Sequence, residues 1–203
     1  SRSGHAARRN GDRRNMIGFR IEGYVIVSAE GMLANADRVM PDEMKFEADK
    51  KFFAAALENA DLIVHGRHSQ EDQPGAPNRK RIILTQRVRA TAPDPENAKA
   101  TLWNPSGSSF EAACAAAGVS SGTVAIIGGP RVFDMFMDRY DTFWLSRAGR
   151  LRLPGGEPCF GGVPAQSPEE ILAAHGMSAG AAEILDAANE VSVTPWQRAS
   201  HKA

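Results

Sequence analysis

The sequence predicts a three-layer α/β domain with a largely parallel central sheet. Short aliphatic, β-branched runs alternate with segments of helical spacing along the chain, and such alternation builds a parallel sheet covered by helices on both faces. No internal repeat and no second domain is evident in the 203 residues, a length that supports one substantial core. Several of the strand-like runs are followed at once by glycine or by a polar cluster, which is how a sheet exposes its carboxyl ends to a ligand.

The first strand is expected over Tyr24–Ser28, ended by Glu30-Gly31. A loop through Asn35–Arg38 to Met40-Pro41 leads to a helix over Lys45–Asn59. Asp61–His65 reads as a buried strand stopped by Gly66, and the Pro/Gly/Asn-rich stretch Gln73–Asn78 leads to a strand over Arg81–Leu84. Ala90–Ala98, polar and with two prolines, reads as loop. Thr101–Trp103 is a short strand, Ser109–Ala117 a small-residue helix, Thr123–Ile127 a strand, and Arg131–Asp138 a helix with Pro130 suited to its first turn. Thr142–Ser146 is again a strand, Pro168–Ala174 a helix and Val191–Trp196 a terminal strand; the alanine-rich segment between these last two shows no clear hairpin.

Composition narrows the function. The 24 Lys and Arg balance 24 Asp and Glu, so the chain lacks the basic excess of a nucleic-acid binder. Residues 1–15 differ, with Arg2, Arg8, Arg9, Arg13 and Arg14 among small polar residues, and read as a disordered basic tail ahead of a single domain over 16–203. No apolar run approaches the roughly 20 residues of a membrane span, and no secretory signal is recognisable. Cys114 and Cys159 have neither disulfide-framework nor metal-ligand spacing, so no metal is expected and a cytoplasmic location is the default.

Three strand ends carry chemistry suited to phosphate. Gly66-Arg67-His68-Ser69 offers close backbone approach, a forked cation and a hydroxyl. Thr85-Gln86-Arg87 follows the strand ending at Leu84, and Gly128-Gly129-Pro130-Arg131 joins a strand directly to a helix start. Each alone is a tight turn or a solvated cation; together, after strands of one sheet, they favour a dinucleotide, although no Gly-x-Gly-x-x-Gly follows the first strand. On the helix from Lys45, residues Phe46, Asp49, Phe52, Phe53, Ala56 and Leu57 share one stripe, with Lys45, Lys50 and Lys51 pointing largely elsewhere. A carboxylate among phenyl rings needs a partner. Asp49 either bridges to a neighbouring group at the stripe's edge or receives the N–H pair of a ligand.

In order and spacing, Gly66–Ser69, Pro77–Thr85 and Ile126–Phe133, with Met40-Pro41, Asp49 and Phe53 ahead of them, resemble dihydrofolate reductase over roughly Tyr24–Phe160. The resemblance implies the three-layer dihydrofolate reductase-like fold and an NADPH-dependent oxidoreductase. It implies that Asp49 holds a pterin ring nitrogen and amino group and helps protonate N5, with Ser146 linking it to the substrate. Ile26, Phe53 and Ile127 would pack against the substrate, and Arg79 would bind the carboxylate tail of a folate. Arg67, Thr85 and Gln86 would read the 2′-phosphate of NADPH. Gly66, His68, Ser69, Leu84, Gly128, Gly129, Pro130, Arg131 and Val132 would hold the rest of the cofactor. The chain departs from the family where Asp42 and Glu43 follow Met40-Pro41 in place of tryptophan, where Lys50 replaces an apolar substrate contact, and where Phe133 and Pro130 replace tyrosine and glycine. The expected activity is reduction of dihydrofolate or a related pterin. The alternatives are the reductase step of riboflavin biosynthesis, on a ribosylaminopyrimidine phosphate, and a non-catalytic ligand-binding protein of the same fold. The expected partner is a small molecule, with neither nucleic acid nor membrane, and a homodimer is compatible with the fold.

Overall fold

A computed structural model describes residues 18–69 and 75–199. The expected basic tail over residues 1–15 and the start of the Gln73–Asn78 stretch lie outside these described residues.

A ten-stranded sheet organises the chain. Its strands are β1 (Phe19–Ser28), β3 (Leu62–Gly66), β4 (Arg81–Leu84), β5 (Thr91–Asp94), β6 (Asn97–Trp103), β7 (Gly122–Ile126), β8 (Thr142–Ala148), β10 (Met177–Ala179), β11 (Glu183–Asp186) and β12 (Val191–Arg198). A separate small sheet joins β2 (Met32–Ala34) to β9 (Glu157–Pro158). The main order is β10-β12-β8-β1-β7-β3-β4-β6-β5, with β11 also paired to β12. The six inner strands from β8 to β6 run parallel, while β5, β10, β11 and β12 pair antiparallel at the margins. The helices are α1 (Glu47–Glu58), α2 (Phe110–Ala116), α3 (Pro130–Met135) and α4 (Pro168–Ala174).

The period-2 alternation of each strand divides its side chains between two faces. Ile21, Val27, Leu62, Val64, Val124 and Ile126 join a large core with Phe110 of α2, Phe133 of α3 and Leu172 of α4. Tyr24, Ile63 and Ala125 point the other way and meet Phe52, Phe53, Ala56 and Leu57 of α1. This is the expected three-layer arrangement.

Several boundaries differ from the sequence reading. The first strand begins at Phe19, five residues early. Ala90–Ala98 is not a loop: β5 and β6 form a hairpin there, with Asp94 Oδ1 accepting the Glu96 N–H at 2.9 Å. Pro93 is tolerated because β5 is the outermost strand and needs no donor on its free side. The helix expected over Arg131–Asp138 ends at Met135. Tyr140 then turns back and donates its hydroxyl to Phe133 O at 2.9 Å. The alanine-rich segment does form antiparallel strands, β10 and β11, which both pair with β12. Exposed alanines and glycines carry no two-residue alternation, so these strands give no signal in the sequence.

Gly23 lies at the middle of β1, in register with Phe143 of β8 and Ile126 of β7. A Cβ there would stand 2.3 Å from Phe143 Cδ2 and 2.9 Å from Tyr140 Cε1. The absence of a side chain at Gly23 is what lets the Phe143 and Tyr140 rings pack against this strand. Gly23→Ala is expected to destabilise the protein by about 1–3 kcal/mol, read as a lowered denaturant midpoint.

Candidate active site

Where β7 enters the sheet between β1 and β3, the strand ends bring together the segments singled out in the sequence. The ladder continues past the strands: Ile127 N–H donates to Val64 O at 3.0 Å and Gly66 N–H to Gly128 O at 2.8 Å. Gly66 is in register with Leu84 of β4, so Arg67 and Thr85 leave the sheet side by side. The Gly66–Ser69 and Gly128-Gly129 turns are in contact. A Cβ on Gly129 would lie 3.1 Å from Ser69 Oγ, and one on Gly66 3.6 Å from Val132 Cγ2. Gly128 has φ +120, a region that side chains rarely adopt, and the Gly128-Gly129 peptide is cis.

A cavity of about 610 Å³ opens beside these turns. His68, Ser69, Ile127, Gly128 and Gly129 line it, together with Ile26, Asp49, Phe53 and Ser146. Nine further residues were expected at this site. Arg67, Gln86 and Arg131 are exposed, Thr85 and Val132 are buried, and Gly66, Leu84, Pro130 and Arg79 are half-buried. None of these nine lines the cavity. Thr85 Oγ1 accepts the Arg87 N–H at 3.1 Å, and the Thr85 N–H donates to Trp103 O at 2.9 Å.

Asp49 is the chemically distinctive group. It sits in the first turn of α1, where the helix lies across β1 and β8, and its carboxyl is hydrogen-bonded to Ser146. Burial pushes its pKa up to about 6, against the opposing pull of the Ser146 hydrogen bond. The register explains the meeting. Tyr24 pairs with Trp144 and Ile26 with Ser146 across β1 and β8, so all four side chains project from the same face toward α1. Tyr24 and Trp144 stack with an interplanar angle of 10°, and Phe52 meets Trp144 edge-on at 5.6 Å between centroids. The carboxyl thus stands against an aromatic wall, as its place in the apolar stripe required.

Tyr24, Trp144, Met40, Met44, Arg38 and Glu157 also line the cavity and were not identified from the sequence as site residues. The two-residue alternation carried the signal for Tyr24 and Trp144, each two positions before an expected site residue. Arg38 and Glu157 become neighbours only through the β2–β9 pairing and form an ion pair at 3.4 Å. The expectation that Lys45 and Lys50 point away from Asp49 is corrected: both line the same cavity.

A second buried network stands behind the turns. His65 and Arg81, both buried, are joined through His65 Nε2 and Arg81 Nη1 at 3.1 Å, while His65 Nδ1 lies 2.6 Å from Gly66 O. Burial lowers the His65 pKa to about 4, so the ring is neutral at physiological pH. It then donates through Nδ1 to Gly66 O and accepts from Arg81. Arg81 Nη2 also donates to Ala76 O at 2.6 Å. The network fixes the carbonyl of Gly66 at the start of the turn.

The described residues hold no cluster of His, Cys, Asp or Glu fit for a metal. Both cysteines are buried with thiols pushed up to about 12. No helix among the described residues is long and apolar enough to cross a membrane.

No protein-family model matches the chain, and no curated protein sequence does. Solved structures do match. A protein assigned to riboflavin biosynthesis from Shewanella sp. PV-4 superimposes with a TM-score of 0.61 at 19% identity, over 89% of this chain and 99% of that one. Dihydrofolate reductase from Enterococcus faecalis, complexed with NADP(H) and RAB-propyl, gives 0.60 at 18% identity, over 89% and 97%. A diaminohydroxyphosphoribosylaminopyrimidine deaminase/5-amino-6-(5-phosphoribosylamino)uracil reductase from Thermotoga maritima gives 0.59 at 15% identity, over 90% of this chain but 57% of that longer one. The chain therefore has the dihydrofolate reductase-like fold that these proteins share.

Proposed function

We propose that the protein is an NADPH-dependent reductase of a pterin or a related pyrimidine. The observation that carries this reading is the pairing, in one cavity, of a buried carboxyl with two touching glycine turns. Asp49, hydrogen-bonded to Ser146, and Ser69 with Gly128-Gly129 line the same cavity.

The turns fit a dinucleotide. Two glycine-containing backbones in contact let a pyrophosphate approach closely, Ser69 offers a hydroxyl, and Arg67 and Arg131 stand exposed beside them. Arg67, Thr85 and Gln86 suit the 2′-phosphate of the adenosine end. Bound there, NADPH supplies a hydride. Asp49 accepts the N–H pair of a 2-amino heterocycle in its ionised form and, when protonated, is the acid that raises the ring's electrophilicity, directly or through water. Ser146 holds the carboxyl in position. Ile26, Phe53 and Ile127 confine the ring and exclude water, which sharpens the field of the Asp49 carboxylate.

A second reading, reduction of a ribosylaminopyrimidine phosphate, is favoured by the place of Arg79 outside the cavity lining. Such a substrate has no glutamate tail for Arg79 to bind. Following the loss of NADPH absorbance with dihydrofolate, with other dihydropterins and with the ribosylaminopyrimidine phosphate separates the two; oxidation with none of them, despite NADPH binding, would mean a non-catalytic binding protein.

Four further outcomes are expected. Asp49→Asn abolishes turnover and leaves the NADPH dissociation constant nearly unchanged; equal loss of both would make Asp49 structural. Because the acid must be protonated, kcat/KM falls as pH rises through about 6, with a limiting slope of about tenfold per pH unit. The carboxyl's pKa is raised on folding, so the stability it contributes is present below the unfolded value and lost as pH rises through about 6. The shift corresponds to about 3 kcal/mol of extra burial cost for the ionised form, so Asp49→Asn raises the melting temperature at about pH 8 and not at about pH 4. Arg67→Ala weakens NADPH far more than NADH; equal weakening would remove its assignment to the 2′-phosphate.

A further inference from the structure

Two ammonium groups flank the start of α1 at the cavity. Lys45 lies just before the helix and Lys50 in its first turn, and both belong to the cavity lining. Lys50 reaches back toward the helix start, where its Nζ lies 3.4 Å from Glu47 Oε1. Lys45 Nζ is 3.2 Å from Asp42 Oδ1. Both partners are open to water, with side-chain exposures of 81% for Glu47 and 96% for Asp42, so neither ion pair holds its lysine firmly. The other groups facing this part of the cavity do not neutralise the pair. Arg38 is bound to Glu157, and Asp49 is turned to Ser146 and raised in pKa by burial. The result is two ammonium groups at the cavity, beside the carboxyl that recognises the ring, each held only by a carboxylate that an incoming anion can displace. Arg79, by contrast, is not part of the lining.

We propose that Lys45 and Lys50 form an anion subsite, and that the substrate ring carries a phosphate or carboxylate that is held there. The inference rests on the reading of the cavity as a ring-binding site. With the ring's amino group on Asp49, a substituent directed along α1 toward its start reaches both lysines, which leave their exposed carboxylate partners for the doubly or triply acceptor anion. Lys50, where dihydrofolate reductases have an apolar contact, becomes a specificity-determining residue. The subsite favours rings with anionic substituents, because an uncharged one offers neither ammonium group anything in place of its water-exposed carboxylate partner.

Calorimetric titration of the full chain tests this without requiring turnover. The probes are a 2,4-diaminopteridine with a glutamate tail and its uncharged diester, and a 5-amino-6-ribosylaminouracil phosphate and its dephosphorylated form. In at least one pair the anionic member is expected to bind about tenfold more tightly, and that pair identifies the anion. The preference is expected to vanish in Lys45→Met/Lys50→Met and to persist in Arg79→Met, with ring affinity of the uncharged members unchanged in all variants. A preference that survives the double substitution, that is erased by Arg79→Met alone, or that is absent from the wild type overturns the subsite while leaving the ring-binding reading intact. Failure of all four probes to bind removes the ring-binding reading and the subsite with it. Both lysines are substantially exposed, so the substitutions leave the core untouched, and unchanged melting temperatures verify this.

Discussion

The site exists because β7 is inserted between β1 and β3. Its partners come from segments about sixty and more than a hundred residues earlier in the chain, and the parallel register places Ile126 between Gly23 and Val64. Once that register is set, the next residues have no freedom: Ile127 bonds Val64 and Gly128 receives Gly66. A one-residue slip would turn every side chain of β7 to the opposite face and separate the two glycine turns. Gly23 allows the register on one side by admitting the Phe143 and Tyr140 rings, and neutral His65 steadies it on the other by binding the Gly66 carbonyl.

Burial and polarity are divided with the same economy. The face toward α2, α3 and α4 carries the larger apolar core, where Phe133, Phe143, Phe160 and Tyr140 pack edge to face. The face under α1 carries a thinner layer, and it is there that the cavity opens. A carboxyl in the large core would be neutral at all ordinary pH values; one at the surface would be ionised throughout. At the margin of the thinner layer, with one hydroxyl partner, Asp49 is balanced between the two states near neutrality.

Much of this was legible in the chain. The inner strands announced themselves as aliphatic runs because both their faces are covered, and the glycines after them marked the turns that now touch. The stripe containing Asp49, Phe52 and Phe53 correctly located a carboxyl against aromatic rings. The rest leaves no pattern in the sequence, for physical reasons. The β5–β6 hairpin is rich in proline and charge because it is a solvent-facing margin, and β10 and β11 are short, exposed and poor in β-branched residues. Arg38 and Glu157 are over a hundred residues apart in sequence and meet through a two-stranded sheet with a register shift. Helical spacing does not give the orientation of Lys45 and Lys50, because it describes where side chains leave the backbone, whereas a lysine's charge sits at the end of a long flexible stem and can turn back along the axis.

The outer strand β5 has a consequence for how copies of this molecule meet. An open sheet leaves unpaired backbone groups along its rim, and a second chain can zip onto them. Pro93 lies within that rim and Pro95 immediately follows it, so part of the rim lacks hydrogen to donate and its path resists straightening. The same two residues that disguised a strand as a loop leave this rim with fewer donors for a neighbouring chain to pair with.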